Sequence, residues 1–512
     1  MEADRNISVS CEVAVVGLGP VGAVLCALLG ARGINVIAVE PDRQPRAFPR
    51  AIAADDEMLR TLLRLPGLPN PAALFDTGQR VEVRDAAHRL ITSVDFGGSP
   101  TGVSGLSFFH QPTLERALRT AVEESPHVQV RFGRRVVELS DEPAAIRLGL
   151  DDGASISASW VIGCDGATSV VRGLRNIAYV GQTFSEPWLV IDLDSSEPLA
   201  HLPCFTYLLN RRRPAVNMPR PGGHRFEFML MPGEDPAALA SGPSVRQLLA
   251  PYLAPLSPAA REALHLVRAT VYTYHSRLAE RWRDGRVLLA GDAAHCMPPF
   301  GGQGLGAGIG DALALAWRLE EVVKGLAPAA ILDAYEAERR PRVAQMNRTA
   351  LIAGRLLTAR SRAGAVAATS VLRLINATPW IGSQFRAGAL RPTPKGSLPN
   401  PRVLTREGAV LRLDDVLAMG WSVLGRGVDP LPLLSAVSRQ ALAARTAGTL
   451  VVLPRGGLAR PGVFAGPAVE DLDGTLLALW PAADFGRALL VRPNRFVALT
   501  PHAIERVRKV PS

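Results

Sequence analysis

Lysine is nearly missing from this 512-residue sequence, which contains only Lys324, Lys395 and Lys509. The positive charge therefore comes from arginine: Lys and Arg total 57 against 47 Asp and Glu, a net charge of +10. Nucleic-acid binding proteins cluster such charge in basic runs that alternate with aromatic residues. The arginines here are scattered, so we expect no nucleic-acid partner.

Cysteine is also scarce, and the five residues Cys11, Cys26, Cys164, Cys204 and Cys296 never form a C-x-x-C pair. This number and spacing exclude a disulfide framework and a zinc knuckle. We therefore expect a cytoplasmic protein without a metal.

The sequence also lacks a convincing membrane span. Residues 13–31 carry no charge, but four glycines and a proline interrupt them, and no basic leader precedes them. With 47% apolar and 20% charged residues, the chain has enough material for a packed interior. Its length predicts two or three domains of about 100 to 200 residues each.

A strand, a tight turn, an apolar helix and a second strand open the chain at residues 11–40. The turn has the form G-x-G-x-x-G, and Glu40 ends the second strand. In such a unit the glycines turn the chain, admit a pyrophosphate to the helix N-terminus and allow close packing, while the acid accepts hydrogen bonds from ribose. The unit predicts binding of FAD or NAD rather than NADP; the alternative is a tight apolar turn.

A second pattern, which also indicates a dinucleotide cofactor, follows about 250 residues later. Residues 285–289 predict a buried strand, and Asp292 follows at its end, where a carboxylate could bind a polyol such as ribityl. Pro298, Pro299 and a glycine-rich loop then lead into a helix, whose N-terminus could stabilise the negative charge of a reduced flavin. Residues 302–307 also fit G-x-G-x-x-A, so a second dinucleotide turn is the competing interpretation.

The remaining chain alternates between strand and helix patterns. Residues 79–96 predict a hairpin, and residues 188–231 predict antiparallel strands in which Arg225, Glu227 and Met229 share one face. Residues 351–376 predict one amphipathic helix. The proline-rich stretch 391–401 predicts a linker before a small tail.

Three motifs in order, GLGPVG at 17–22, CDGATSVVR at 164–172 and GDAAH at 291–295, resemble the single-component flavoprotein aromatic hydroxylases of the para-hydroxybenzoate hydroxylase superfamily. The layout of the whole chain is similar to the 3-(3-hydroxyphenyl)propionate hydroxylase branch. The resemblance implies bound FAD, transient NADPH or NADH, O2 and a small aromatic substrate.

The resemblance also implies roles for individual residues. Arg50 and Gln111 would contact FAD, Asp165 would serve the pyrophosphate and nicotinamide docking, Asp292 would bind the ribityl chain, and Pro299 would lie near the reactive edge of the flavin. The full set of implied cofactor-binding residues is Gly17, Gly19, Pro20, Val21, Gly22, Glu40, Arg50, Gln111, Asp165, Gly291, Asp292, Pro299, Gly302, Gly304, Leu305 and Gly306. Arg225, Tyr272 and His224 are candidates to bind or deprotonate a phenol; the alternative for each is an ordinary surface or sheet residue. The alternative for Asp165 is a turn residue.

The implied fold is α/β: a Rossmann-type FAD-binding domain with an inserted antiparallel β-sheet substrate domain and a C-terminal thioredoxin-like domain. The predicted segments are FAD-binding at 1–78, 101–180 and 281–350, substrate-domain hairpin at 79–100, substrate domain at 181–280, helical connector at 351–392 and thioredoxin-like domain at 393–512. We expect a monomer or a homodimer.

The implied activity is hydroxylation of a phenolic ring through a flavin C4a-hydroperoxide. The same chemistry used for epoxidation or Baeyer-Villiger oxidation, and a non-catalytic flavin-bound scaffold, remain alternatives. Gly306, Gly310 and Ala314 replace residues that are commonly Asn or Cys, Arg and Asn in relatives, which predicts a looser flavin loop. Asn494 stands where Asp is usual, and no cysteine follows Cys296, so the tail has no dithiol chemistry.

Overall fold

The computed structural model describes residues 8–184, 186–377, 396–459, 466–480 and 488–498. The chain divides into two compact units. The first unit comprises Met1–Gly97, Ser104–Ala312 and Glu336–Pro392, and the second comprises Gly98–Val103, Leu313–Tyr335 and Thr393–Ser512.

An eight-stranded, mainly parallel sheet organises the described part of the first unit. Its central strands are rich in Val, Ile and Ala and are buried on both faces, as expected for a parallel sheet covered by helices. Parallel pairing brings the carboxyl ends of Ser8–Val16, Val36–Glu40, Ser155–Gly163 and Val287–Leu289 to one edge. The strands in order are Arg283–Asp284, Val287–Leu289, Ser155–Gly163, Ser8–Val16, Val36–Glu40 and Val128–Phe132. Ile146–Leu150 pairs antiparallel with Ser155–Gly163, and Val136–Asp141 pairs antiparallel with Ile146–Leu150.

A second large sheet, here called the cavity sheet, has seven strands among the described residues. The predicted hairpin forms Arg80–Asp85 and Leu90–Asp95 and joins this sheet through a parallel pairing with Phe205–Leu209. The other neighbouring pairs are antiparallel. The strands in order are His265–Tyr272, Trp188–Asp194, Gly223–Met229, Ala215–Arg220, Phe205–Leu209, Arg80–Asp85 and Leu90–Asp95.

Alternation along the cavity sheet separates two hydrophobic clusters. Phe226, Phe228 and Leu230 pack on one face with the helix Gly242–Leu253. Met229 belongs to the cluster on the opposite face, which contains Trp188, Phe205 and Tyr207. Because each fully buried aromatic or aliphatic side chain contributes about 1.5–3 kcal/mol, the alternation fixes which residues face which side.

Two small sheets and several helices complete the first unit. The strands are Ala53–Asp55, Leu106–Phe109 and Phe75–Asp76 in one sheet and Tyr179–Thr183, His275–Ala279 and His295–Cys296 in the other. The α-helices are Pro20–Gly30, Asp56–Leu62, Gln111–Glu123, Val170–Leu174, Pro236–Leu239, Gly242–Leu253, Pro258–Glu262, Gly304–Val323, Asp333–Leu357 and Arg362–Ala377, of which Gly304–Val323 and Asp333–Leu357 continue into segments assigned to the second unit. Within the described ranges, no helix is long and apolar enough to cross a membrane.

The single helix predicted at 351–376 is wrong, because the chain forms two helices there. The first ends at Leu357, and the second begins at Arg362. The hydroxyl of Thr358 donates to the carbonyl of Gly354, and the hydroxyl of Ser361 accepts from the backbone N–H of Gly364 at 3.0 Å. These local hydrogen bonds end one helix and cap the next. The spacing of apolar residues does not reveal such side-chain bonds to the backbone, which compete with continuation of the helix.

The described part of the second unit contains a seven-stranded mixed sheet. Ser422–Arg426, Gly448–Pro454 and Ala468–Asp471 pair in parallel, and the helix Ala436–Ala443 connects the first two. The full order is Val410–Arg412, Arg402–Thr405, Ala468–Asp471, Gly448–Pro454, Ser422–Arg426, Ala488–Val491 and Val497–Ala498; a one-turn α-helix spans Leu413–Val416. The linker predicted at 391–401 lies partly outside the described residues.

A buried carboxylate, Asp311, fixes the start of the helix Gly304–Val323 against the loop that follows Val287–Leu289. Its Oδ2 atom accepts from His295 Nε2 at 2.6 Å and from the N–H of Gly291 at 3.1 Å, and its Oδ1 atom accepts from Arg339 Nε at 2.8 Å. Arg339 also donates to the carbonyl of Ala307 at 2.8 Å. Burial would raise the pKa of Asp311, but His295 and Arg339 lower it below its usual value.

We predict that Asp311→Asn lowers the free energy of unfolding by about 3–5 kcal/mol, because it removes the negative charge from a buried ion pair with Arg339. Chemical denaturation followed by tryptophan fluorescence measures the loss. Asp141→Asn is the control: Asp141 is 64% exposed in its pair with Arg175. A surface pair of this kind contributes at most about 1 kcal/mol.

The same variant has a predicted pH dependence. A carboxyl whose folded pKa is depressed stabilises the protein above its unfolded pKa of about 3.9, and the stabilisation disappears as pH falls through the folded pKa. The stability difference between wild type and Asp311→Asn should therefore shrink as the pH falls below about 4. A constant difference at low pH would contradict this account of Asp311.

Candidate active site

A cavity of about 310 Å³ runs through the first unit from the glycine turn to the cavity sheet. We call these its glycine end and its sheet end. Residues at the glycine end are Gly19, Pro20, Val21, Arg50, Ala51, Gln111, Cys164, Gly166, Ala290 and Asp292; those at the sheet end include Trp188, Phe205, Tyr207, Val216, Met218, Arg225, Glu227, Tyr274 and Phe300. Met297, Pro298, Pro299, Gly302, Gly304 and Leu305 also line it.

The glycine turn has the backbone that the sequence pattern requires. Gly17 has φ +93°, and a Cβ atom there would lie 2.7 Å from the carbonyl oxygen of Cys164. A Cβ atom on Gly22 would collide with the carbonyl of Gly17, whereas the space beside Gly19 is open. The helix that begins at Pro20 therefore presents its N-terminus to open space, the arrangement that binds a phosphate.

Glu40 lies at the end of its strand, as predicted, and its carboxylate also supports the turn. Its Oε2 atom accepts from the N–H of Leu18 at 2.6 Å, and its Oε1 atom accepts from the N–H of Asp42 at 2.9 Å. The guanidinium of Arg119 lies 3.8 Å from Oε1. A carboxylate can accept about four hydrogen bonds, so these contacts leave room for a ribose hydroxyl.

Asp165 makes the contacts of a turn residue. Its carboxylate accepts from the hydroxyl of Ser169 at 2.5 Å and from the N–H groups of Val170 and Val171 at 2.7 and 3.1 Å. These bonds organise the start of the helix Val170–Leu174. Its neighbours Cys164 and Gly166 line the cavity, so Asp165 shapes the glycine end whether or not its carboxylate contacts a ligand.

Gln111 holds the segment that carries Arg50. The side-chain oxygen of Gln111 accepts from the N–H groups of Arg50 and Ala51 at 2.7 and 2.6 Å. Its side-chain nitrogen donates to Glu115 at 2.6 Å. Gln111 and Arg50 are 61 residues apart in the sequence, and this hydrogen bond brings them together at the glycine end.

Two arginines of the cavity sheet hold the same segment from the other side. Arg225 donates to the carbonyls of Pro49 and Arg50 at 2.5 and 2.9 Å, and Arg268 donates to the carbonyl of Pro49 at 2.5 Å. Both arginines pair with Asp192, which has no exposed surface, at distances of 2.7 to 3.0 Å. Burial would raise the pKa of Asp192, but the two guanidinium groups lower it.

Asp292 is open to the cavity beside the turn that leads to Pro299. Among the described residues, none donates a hydrogen bond to its carboxylate. Protein surrounds its other sides, so desolvation raises its pKa, while His295 and Arg50 oppose the rise. Such a carboxylate is suited to accept hydrogen bonds from the hydroxyls of a ligand.

The start of the helix Gly304–Val323 is closely packed rather than loose. A Cβ atom on Gly306 would lie 2.7 Å from Asp55 Oδ2, and one on Gly310 would lie 2.6 Å from Arg339 Nη2. Charged side chains therefore occupy the space beside both glycines. The sequence predicts a looser loop from these substitutions, but the structure has no empty space beside either glycine.

Aromatic side chains and one carboxyl group form the sheet end. Phe300 lies edge-on to Trp188 with ring centroids 6.0 Å apart, and Tyr207 accepts from the N–H of Gly301 at 3.4 Å. The hydroxyl of Tyr274 donates to Glu227 Oε2 at 3.3 Å. Burial raises the pKa of Glu227, and Arg225 opposes the rise.

The three residues predicted to contact a phenol occupy different places. Arg225 lines the cavity, but its guanidinium is engaged by Asp192 and two carbonyls. Tyr272 accepts from Arg268 and is not among the lining residues. His224 packs against Phe226 with ring centroids 4.7 Å apart and the ring planes tilted by 35°, on the face away from the cavity. Sequence reasoning missed Tyr207 and Tyr274, and although it placed Glu227 on the same face as Arg225, it assigned Glu227 no role.

The glycine end fits FAD on geometry alone. The turn provides an open helix N-terminus for a pyrophosphate, Glu40 retains acceptor capacity for a ribose, and the carboxylate of Asp292 is free to bind a polyol. The cavity continues from Asp292 past Pro299 to the aromatic residues, so a ring system attached to that polyol has a path toward the sheet end.

Comparison with known proteins agrees with this fit. Residues 10–350 match the model of the FAD binding domain family, and residues 396–509 match the HcaD C-terminal domain. The chain is 34% identical to 3-(3-hydroxy-phenyl)propionate/3-hydroxycinnamic acid hydroxylase 2 of Burkholderia vietnamiensis, covering 98% of this chain and 96% of the relative. It is 31% identical to the corresponding Escherichia coli hydroxylase, covering 96% and 92%.

Solved structures have the same fold. The p-nitrophenol 4-monooxygenase of Pseudomonas putida has a TM-score of 0.65 at 25% identity, covering 74% of this chain and 97% of that one. Aklavinone-11 hydroxylase, solved with FAD and aklavinone, has a TM-score of 0.74 at 23% identity, covering 97% and 98%. The family match over more than half of the chain, together with the relatives aligned over nearly its full length, shows that this protein belongs to the FAD-binding domain family of flavin-dependent aromatic hydroxylases.

Proposed function

We propose that this enzyme hydroxylates a small phenolic compound with FAD, NAD(P)H and O2, and that the substrate lies at the sheet end of the cavity. The observation that carries the proposal is the continuity of the cavity between the dinucleotide turn and the aromatic residues of the cavity sheet. The names of the curated relatives, which are hydroxylases of hydroxylated phenyl acids, support a phenolic ring.

Bound FAD supplies the redox chemistry, accepting reducing equivalents from NAD(P)H and activating O2. The residues of this chain bind and orient the two ring systems. The helix N-terminus at Pro20, with Glu40 and Asp292, would hold the nucleotide and polyol. Pro299 and Phe300 would border the place where the rings meet, and Trp188 and Phe205 would exclude water from it.

Several finer assignments belong to the same proposal. The antiparallel pairing of Trp188–Asp194 with both of its neighbours supports an inserted substrate domain. The three parallel strands of the second unit, with a helix between two of them, support a thioredoxin-like fold at 393–512. Five free cysteines support a cytoplasmic location. A monomer or homodimer remains a prediction.

NAD(P)H oxidation by the FAD-loaded protein, measured with a panel of phenols and coupled to product analysis, tests the proposed function. We expect at least one phenol to accelerate oxidation and to be recovered with an added hydroxyl group. Acceleration without any hydroxylated product across the panel would contradict hydroxylation.

We predict that Asp292→Ala weakens FAD binding about 10- to 100-fold, the equivalent of losing a hydrogen bond to a charged group. The fold should persist, because the residue borders a cavity rather than filling a core. Equilibrium dialysis of the apoprotein with FAD measures the affinity, and circular dichroism checks the fold. Asp284→Asn, in the neighbouring strand Arg283–Asp284 and outside the cavity lining, is the control with unchanged affinity. Equal FAD affinity in wild type and Asp292→Ala would make Asp292 a structural residue.

We also predict that flavin reduction is slow with NAD(P)H alone and much faster when a phenol occupies the sheet end. FAD would occupy the dinucleotide turn at 17–22, and residues from Gly304 onward form the helix Gly304–Val323. NAD(P)H would therefore bind only in transit, and substrate would control its productive approach. Anaerobic stopped-flow absorbance measures reduction with and without the phenol. Identical rates in the two conditions would contradict this control by substrate.

A further inference from the structure

The charged groups around the cavity are divided between its two ends. Arg50 and Asp292 belong to the glycine end, where Gln111 holds the Arg50 backbone and the charge of Arg50 opposes the rise in the pKa of Asp292. Among the described lining residues, Arg225 and Glu227 are the only charged side chains at the sheet end. These two residues therefore set the electrostatics that a substrate meets.

Arg225 has almost no capacity left to bind a substrate. Its Nε and Nη2 atoms donate to the two oxygens of Asp192 at 2.7 and 3.0 Å, and Nη2 and Nη1 donate to the carbonyls of Pro49 and Arg50. These contacts use four of the five N–H groups of a guanidinium. Its charge is balanced by Asp192, and the pair is buried.

Glu227 has acceptor capacity that the protein does not use. Its Oε1 atom lies 3.9 Å from Arg225 Nη1, beyond hydrogen-bond distance. Among the described residues, its Oε2 atom accepts a single long bond, from Tyr274 at 3.3 Å. A carboxyl group buried with so few donors is stabilised by any hydroxyl that enters and donates to it. A phenolic hydroxyl is such a donor.

The sheet end is unfavourable for an aromatic compound that carries a carboxylate. Removing a carboxylate from water without an unpaired cation to receive it is strongly unfavourable, and Glu227 would add a like charge nearby. The curated relatives are named for acids that carry this group. The sheet end of this chain offers a carboxylate neither a free guanidinium nor an ammonium group among its described residues.

We propose that the sheet end selects an uncharged hydroxylated aromatic compound over an aromatic carboxylate, and that Glu227 is the residue that determines this selection by accepting a hydrogen bond from the substrate hydroxyl. The proposal rests on the proposed function, because it concerns the substrate of the same site.

The test compares two ligands that differ in charge and little in shape, 3-(3-hydroxyphenyl)propionate and its primary amide. Each is titrated into the FAD-loaded protein without NAD(P)H, and the change in flavin absorbance gives its dissociation constant. We expect the amide to bind at least about tenfold more tightly than the acid. Equal binding, or tighter binding of the acid, would overturn the proposal while leaving the proposed function intact.

Glu227→Gln tests the residue itself. Glutamine keeps the shape but removes the charge, so the amide should bind about tenfold more weakly and its preference over the acid should narrow. Glu82→Gln is the matched control, because Glu82 is a buried carboxylate of the same sheet, outside the cavity and paired with Arg80 and Arg84. It should keep the wild-type preference.

The remaining outcomes separate the two claims. An unchanged preference in Glu227→Gln would overturn the assignment of Glu227. If the FAD-loaded wild type bound neither these ligands nor any neutral phenol, the proposed function would fail together with this proposal. Flavin content measured in each variant ensures that a lost signal is not lost cofactor.

Discussion

The ion cluster of Asp192, Arg225 and Arg268 is the interaction on which the site depends. A carboxylate with no exposed surface is stable only when it is paired and hydrogen-bonded, and here two guanidinium groups satisfy it. The same guanidinium groups donate to the carbonyl of Pro49. The cluster thus fastens the cavity sheet to the segment that carries Arg50. Among the described lining residues of the sheet end, it leaves no free positive charge.

Asp311 has an equivalent role for the segments that carry Asp292 and Gly304. It joins the loop at Gly291 to the helix that starts at Gly304 through His295 and Arg339. Two groups of segments that line the cavity are therefore each held by a buried carboxylate, Asp192 or Asp311, with arginine or histidine partners. This arrangement explains how Gly306 and Gly310 are accommodated: they leave space for Asp55 and Arg339, which pack directly against the helix.

The sequence predicted those features whose signals are local. The glycine turn, Glu40 and the position of Asp292 after a buried strand follow from residues within one strand–turn–helix unit, and period-two alternation placed Arg225, Glu227 and Met229 on one face. The sequence could not predict which groups each side chain contacts in the folded protein. Arg225 contacts Pro49 from 176 residues away, and Arg339 contacts Asp311 from 28 residues away. Such partners depend on tertiary packing, so Arg225 was predicted to bind substrate, and no role was predicted for Glu227.

Incorporation of ¹⁸O from ¹⁸O2 into a neutral phenol tests the central claim most directly. The FAD-loaded enzyme is supplied with NAD(P)H, ¹⁸O2 and the uncharged phenol that binds best, and the product is analysed by mass spectrometry. The account predicts an aromatic product that carries one added oxygen atom, derived from ¹⁸O2. Oxidation of NAD(P)H with label found only in hydrogen peroxide, and no labelled aromatic product, would contradict it.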